Sequence, residues 1–255
     1  MIRIAAVADL HFGPDSAGTY RPHLDRIADR ADVFLIAGDL TRLGEPDEAR
    51  ILADELRDLP IPTVAVLGNH DHHADREGEV RSIVESAGVQ VLEGEATVLE
   101  IAGTRLGIAG AKGFGGGFAG VSASEFGERE MKAFIRHTME VADRLEAALR
   151  SLGADRRVVL LHYSPVKETL DGEPPEIHAF LGSYLLAEAV DRAGADLVLH
   201  GHAHRGTGSG ATPGGIPVRN VAWPVIGQAY ALFRLEPRAE DGARGVWSAE
   251  VSGRA

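Results

Sequence analysis

Apolar positions along this 255-residue chain fall into two rhythms. Residues 2–8, 33–37 (Val-Phe-Leu-Ile-Ala) and 63–67 (Thr-Val-Ala-Val-Leu) are short unbroken apolar runs, as expected of strands buried on both faces. Between them, residues 20–30 and 46–58 read as helices. In the second, Ile51, Leu52, Glu55, Leu56 and Leu59 approximate one face, and Pro46 stands near the start, where a missing N–H is tolerated. This strand–helix–strand order predicts a parallel sheet. Residues 96–101 and 104–109 predict a hairpin turning at Gly103-Thr104, and Gly110–Gly120 a loop. A long helix is predicted from Glu125 to Leu152, with Met131, Phe134, Ile135, Met139, Val141, Leu145 and Leu149 on its apolar face. Then come a buried strand at Val158–Leu161, a proline-containing loop over 163–180, a helix over 181–193 and a strand over 196–200. The segments 216–221, 229–235 and 246–252 read as further strands. No linker or repeat divides the chain, so residues 1–255 are expected to form one α/β domain.

What stands just past each apolar run changes the picture. In order these are Asp9-Leu10-His11, Gly38-Asp39, Gly68-Asn69-His70-Asp71, His162 and Gly201-His202-Ala203-His204. Any one of them is explicable as turn chemistry or a core histidine. Five in register with strand ends are not, because open α/β sheets place ligand sites at the carboxyl ends of their strands. Asp9 and His11, two residues apart, would face the same side of an extended chain. Asp, His and Asn converging there suit a two-metal site that activates water and supports in-line displacement at phosphorus.

Composition narrows the chemistry. There is no cysteine, which excludes disulfides, thiolate ligands and cysteine nucleophiles. Metals would be held by oxygen and imidazole, as suits manganese or iron, with zinc also compatible. The net charge of −12 argues against an extended nucleic-acid surface but not against a small phosphorylated substrate facing two cations. The apolar start is short and interrupted by Asp9, so no signal peptide or membrane span is expected, and the expected location is the cytoplasm.

The ordered set D-x-H, G-D, G-N-H-D, H and G-H-x-H resembles the calcineurin-like metallophosphoesterase superfamily over residues 9–204. That resemblance implies a four-layer α/β/β/α sandwich of two mixed sheets flanked by helices. It also implies that Asp9, His11 and His204 hold one divalent or trivalent metal ion, that Asn69, His162 and His202 hold another, and that Asp39 bridges them. A metal-bridging hydroxide would attack phosphorus, with His70 stabilising the transition state or protonating the leaving group, and Asp71 orienting His70.

Departures from the pattern sort the branches. Arg42 stands where purple acid phosphatases place a ligating tyrosine, and Asp71 where protein phosphatases have glutamate. The run Gly38-Asp39-Leu40-Thr41, with Gly44, Pro46 and Glu48, is similar to small bacterial cyclic-nucleotide-phosphodiesterase-like enzymes, whose analogy also suggests a homodimer. Where those enzymes carry a nearby arginine, this chain has His72-His73, which are taken as substrate-binding candidates. The expectation is therefore hydrolysis of a phosphodiester, alternatively of a phosphomonoester, in a small substrate such as a nucleotide. A non-catalytic scaffold on the same fold, like the retromer subunit, is the competing reading. His200 is either a partner of a ligand or simply buried. The 110–120 loop lines a leaving group or is plain surface, and the 163–180 loop, with Lys167, forms a lid or a dimer contact.

Overall fold

The computed structural model describes residues 1–236 and, as backbone, 247–250. β1 (Ile2–Val7) leads through two short helices, α1 (Arg21–Leu24) and α2 (Ile27–Arg30), into β2 (Val33–Ala37). α3 (Pro46–Leu56), β3 (Thr63–Val66), α4 (Glu77–Glu85) and β4 (Val89–Val91) follow. Next come the hairpin β5 (Glu95–Ile101) and β6 (Thr104–Ala111) and a small ribbon of β7 (Gly117–Phe118) and β8 (Val121–Ser122). The long helix α5 (Arg129–Ser151) precedes β9 (Arg156–Leu161), α6 (His178–Leu181), α7 (Tyr184–Ala193) and β10 (Leu197–His200). β11 (Ser209–Ala211), β12 (Pro217–Asn220), α8 (Trp223–Ile226), β13 (Ala231–Leu235) and β14 (Trp247–Glu250) complete the described chain.

The strands form two large mixed sheets, ordered β14-β13-β1-β2-β3-β4 and β11-β12-β10-β9-β6-β5. β1 through β4 run parallel, as do β6, β9, β10 and β12, with antiparallel strands at the margins. Period-two alternation explains why both faces are apolar. Ile2, Ile4 and Ala6 of β1 pack inward against Val158, Leu160 and Leu199 of the other sheet. Ala5 and Val7 turn outward, to a layer with Leu24, Ile27, Leu52, Leu56, Val80 and Val84 of the helices. On the far side, Val159 and Leu161 meet Val141, Leu145 and Leu149 of α5 and Leu186 and Val190 of α7. These three apolar layers make the four-layer α/β/β/α sandwich. Each fully buried Leu, Ile or Val in them contributes about 1.5–3 kcal/mol.

Several predicted boundaries move. The 20–30 helix breaks at Asp25-Arg26 into α1 and α2, and the long helix starts at Arg129, after Glu128, rather than at Glu125. Its buried stripe runs through Ile135, Thr138, Val141, Ala142, Leu145 and Leu149, leaving Met131 and Met139 exposed. The hairpin turns one residue earlier, at Ala102 (φ 49°) and Gly103 (φ 78°), the paired positive φ that matches strand twist in a two-residue loop. The 163–180 loop contains 3₁₀ turns at 168–170 and 175–177 and runs into α6, which splits the 181–193 helix. α4, β4, β11 and α8 come from segments assigned no element from sequence. Of the predicted 246–252 strand, residues 246, 251 and 252 lie outside the described residues.

Candidate metal centre

Each polar motif sits where its strand ends. β1, β2 and β3 deliver Asp9, His11, Asp39 and Asn69 from one sheet, and β9 and β10 deliver His162, His202 and His204 from the other. The residues do not get there by continuing as extended chain. Asp9 (φ 61°), His11 (φ 46°), Asp39 (φ 49°) and His202 (φ 69°) all take left-handed backbone, four of the seven such non-glycine residues described. Asp9 and His11 therefore converge through a tight turn, not through the alternation of a strand.

Backbone bonds lace that turn to its neighbour. His11 N–H donates to Asp39 O and Phe12 N–H to Leu40 O, each at 3.0 Å. Two glycines leave room for the carboxylates. A Cβ on Gly68 would overlap Asp39 Oδ1 and stand 2.8 Å from its Cγ, and one on Gly201 would overlap Asp9 Oδ2.

The side chains form two ligand groups sharing one residue. Asp9, His11, Asp39 and His204 place donor atoms within 4.8 Å of one another, and so do Asp39, His162 and His202. Asp39 spans them: His11 Nε2 is 3.6 Å from its Oδ2, and His162 Nε2 is 3.3 Å from its Oδ1. Asn69 joins the second group, its Oδ1 lying 2.9 Å from His162 Nε2. Asp9 joins the first, accepting from His204 Nε2 at 2.9 Å. His162 Nδ1 donates to the Ala37 carbonyl at 2.9 Å, which fixes the tautomer and aims the Nε2 lone pair at the group. His202 Nε2 lies 3.3 Å from the Phe180 carbonyl.

Oxygen and imidazole donors of this kind fit divalent cations. His11 Nε2 makes the fit specific, because it is buried among the ligands with no hydrogen-bond partner. Burial raises the Asp9 carboxyl, but the bond from His204 and the surrounding imidazoles bring it below its ordinary value. His204 is raised, first by that same bond. His202 is pushed down to about 3 by burial, which keeps its ring neutral and able to ligate.

The remaining residues separate. His70 lies beside the cluster, its Nε2 4.0 Å from Asp39 Oδ2 and its backbone N–H on Asp39 Oδ1 at 2.9 Å. Asp71 does not orient the His70 ring. That ring is held by the Arg42 carbonyl, 2.7 Å from Nδ1. The fully buried Asp71 carboxylate instead accepts from Leu40 N, Thr41 N, Thr41 Oγ1 and Gly68 N, clamping the Asp39 turn to the Asn69 turn. His72 is half-buried with an unpartnered Nε2, while His73 is exposed.

His200 is buried on the Gly201 carbonyl and the Thr169 hydroxyl, and neither bond goes to a ligand. The 163–180 segment packs against the Gly201–His204 turn through Phe180 O and Glu173, which accepts from Arg205 N at 2.7 Å. Two residues went unnoticed in the sequence: Lys112, just past β6, and Tyr163, just past His162, with its ring 4.4 Å from that of His202. Both stand at strand ends, the same signal that marked the ligands.

The family profile of the calcineurin-like phosphoesterases matches residues 2–206, which carry every one of these side chains. The chain belongs to that family. No curated protein matches its sequence. Among solved structures, this phosphoesterase is similar to the phosphopantetheinyl hydrolase of Mycobacterium tuberculosis, at 18% identity and a TM-score of 0.63 over 87% of this chain and 89% of that one. It is also similar to a putative 5′-nucleotidase from Staphylococcus aureus, at 15% identity and a TM-score of 0.55 over 98% of this chain and 52% of that one. A third similar structure, TT1561 of Thermus thermophilus, matches at 16% identity and a TM-score of 0.51 over 91% of this chain and 93% of that one. At these identities the likeness establishes the fold. Among the described residues, no helix of the phosphoesterase is long and apolar enough to cross a membrane.

Proposed function

We propose that the protein is a dinuclear metal-dependent phosphoesterase that hydrolyses a phosphodiester in a small substrate, with phosphomonoester hydrolysis as the nearest variant. The single observation that carries this reading is Asp39, a 1% exposed carboxylate common to both ligand groups. A buried carboxylate ringed by imidazoles from two sheets is costly unless cations neutralise it. Asp9, His11 and His204 would hold one ion and Asn69, His162 and His202 the other, manganese or iron by donor type, with zinc compatible. When bound, two such ions activate water and neutralise phosphoryl oxygens in an in-line displacement.

The chain's own groups do the rest. The Arg42 carbonyl fixes His70 Nδ1–H, so that Nε2 faces the cluster, where a protonated ring can hydrogen-bond a phosphoryl oxygen or protonate the leaving oxygen. The side chains of His70 and His204 are each 40% exposed, while those of Asp9, Asp39 and His162 are buried, so substrate approaches from the histidine side. Filled candidate-ligand positions and a His70 ring held with Nε2 toward the cluster favour the enzyme over the scaffold reading. One domain and a cytoplasmic site of action complete the proposal.

The test is elemental analysis of the purified protein, followed by hydrolysis of bis-p-nitrophenyl phosphate and p-nitrophenyl phosphate with added manganese. Two ions per chain and a preference for the diester are expected, with Asp39→Asn losing both ion uptake and activity. His70→Ala should retain the ions and lose about 10²–10⁴-fold in kcat. Full activity in Asp39→Asn would overturn the mechanism, and a preference for the monoester would move the protein to the phosphatase class.

A further inference from the structure

Beside the second ligand group stands a set of side chains that the proposed hydrolysis does not use. The Lys112 ammonium lies over two aromatic faces, 4.8 Å from the Phe114 ring centre and 5.2 Å from that of Tyr163. Tyr163 is itself packed on the ligand His202, so the ammonium is one ring away from the metal centre. His137 meets Phe114 edge-on at 4.7 Å. His72, with its buried and unpartnered Nε2, feels Lys112 more strongly than any other neighbouring charge, and His137 as well. Three basic groups thus gather on one flank of the site in a chain whose net charge is −12.

The ammonium is not spent on a protein carboxylate. Glu93 and Glu77 are near enough to be felt, yet among the described residues no carboxylate comes within the 4.0 Å of an ion pair with Lys112. Glu93 accepts from Leu67 N, and Glu77 stands 3.9 Å from His72 Nδ1. A cation partly stripped of water on aromatic faces, with the His72 ring near enough to feel its charge, is complementary to an anion. A phosphate suits it better than a carboxylate, since it offers more charge and three acceptor oxygens to donors arriving from separate elements.

We infer that Lys112, flanked by His72 and His137 on the Phe114–Tyr163 platform, is a second phosphate subsite, and that the natural substrate is a small molecule carrying another phosphate on the group beside the scissile one. This deepens the phosphoesterase reading and rests on it. It makes Lys112 a determinant of specificity rather than a catalytic residue.

The experiment compares adenosine 3′,5′-bisphosphate with adenosine 5′-monophosphate by calorimetric titration of the manganese-loaded protein. The wild type is expected to bind the bisphosphate at least about tenfold more tightly. Lys112→Met should bring the two affinities within about twofold of one another, and Lys112→Arg should restore most of the preference. His137→Gln, at an exposed position where folding is not at stake, should lower the ratio by about threefold. Equal affinities in the wild type, no binding of either nucleotide, or an unchanged ratio in both Lys112→Met and His137→Gln would overturn the inference. Turnover is not read, so a protein inactive on the nitrophenyl esters would defeat the proposed reaction and leave the affinity ratio to decide the subsite.

Discussion

Replacing Asp71 by asparagine tests whether this carboxylate is a clamp with a cost in charge. It accepts four hydrogen bonds, from Leu40 N at 3.1 Å, Thr41 N at 2.8 Å, Thr41 Oγ1 at 2.6 Å and Gly68 N at 2.7 Å. An asparagine with its oxygen toward Leu40 and Gly68 points its amide at Thr41. The threonine hydroxyl can turn to accept, but the Thr41 N–H cannot, and one orphaned buried donor costs about 1–3 kcal/mol. The charge works in the opposite direction. Burial first, and the neighbouring Asp39 second, push the Asp71 carboxyl from 3.8 to about 6. The folded state then binds more protons than the unfolded state between those values, so stability falls as pH rises from about 4 to 6 and stays lower above. At 1.36 kcal/mol per unit the full loss is about 3 kcal/mol, of which about half falls between pH 5 and 7.5. The stability advantage of the wild type over Asp71→Asn should therefore shrink by that amount across the window. Urea unfolding of both proteins in chelator at pH 5, 6 and 7.5 measures it. A gap that is constant or widens with pH would refute the reasoning. Manganese should flatten the dependence, because cations on Asp39 remove the second cause.

Two further substitutions test the scaffold around the ligands. Gly68→Ala drives a methyl group into the Asp39 carboxylate and the Asp39 backbone nitrogen, so the Asp39 turn must shift, ion uptake should fall to one or none and kcat/KM by at least about 10²-fold; two ions by elemental analysis would contradict it. Arg156 is 2% exposed, pairs with Asp196 at 2.8 Å and also donates to the Glu236 carbonyl. Arg156→Met leaves Asp196 without its buried partner and should cost about 3–5 kcal/mol in urea unfolding, with activity per folded molecule unchanged; a loss below about 1 kcal/mol would show the pair to be idle.

The candidate ligands were legible as a cluster because Asp, Asn and His interrupt apolar runs just where a buried strand must end, and side-chain type alone marks such places. The route by which they converge was not legible. Alternation suggested that Asp9 and His11 share a face of an extended chain, whereas both adopt positive φ, which no residue type other than glycine announces. The partner of His70 is equally silent, since the Arg42 carbonyl belongs to the backbone, and the acidic neighbour Asp71 was the more visible choice. α4 buries only Val80 and Val84, and β4 is three residues long, too little for periodicity to register. Met139 suited an apolar stripe by type, but Thr138 lies on the buried side and donates to the Gly115 carbonyl at 2.6 Å.

The left-handed turns also bear on how the site forms. Each costs about 1–2 kcal/mol at a non-glycine residue, and glycine cannot relieve the strain where the side chain is itself a candidate ligand. What offsets it comes from across the molecule. Asp9 N–H donates to Gly38 O at 3.0 Å, and Asp9 Oδ2 accepts His202 N–H at 3.0 Å from the opposite sheet. His162 reaches back to Ala37 of the first sheet. The inter-sheet core and the ligand geometry therefore depend on one another. Neither sheet alone holds a complete ligand group, because His204 must join Asp9, His11 and Asp39, and Asp39 must join His162 and His202. Metal affinity in such a site is folding free energy of the paired sheets, so ions that bind only the assembled cluster must raise the stability of the whole described fold rather than of one loop.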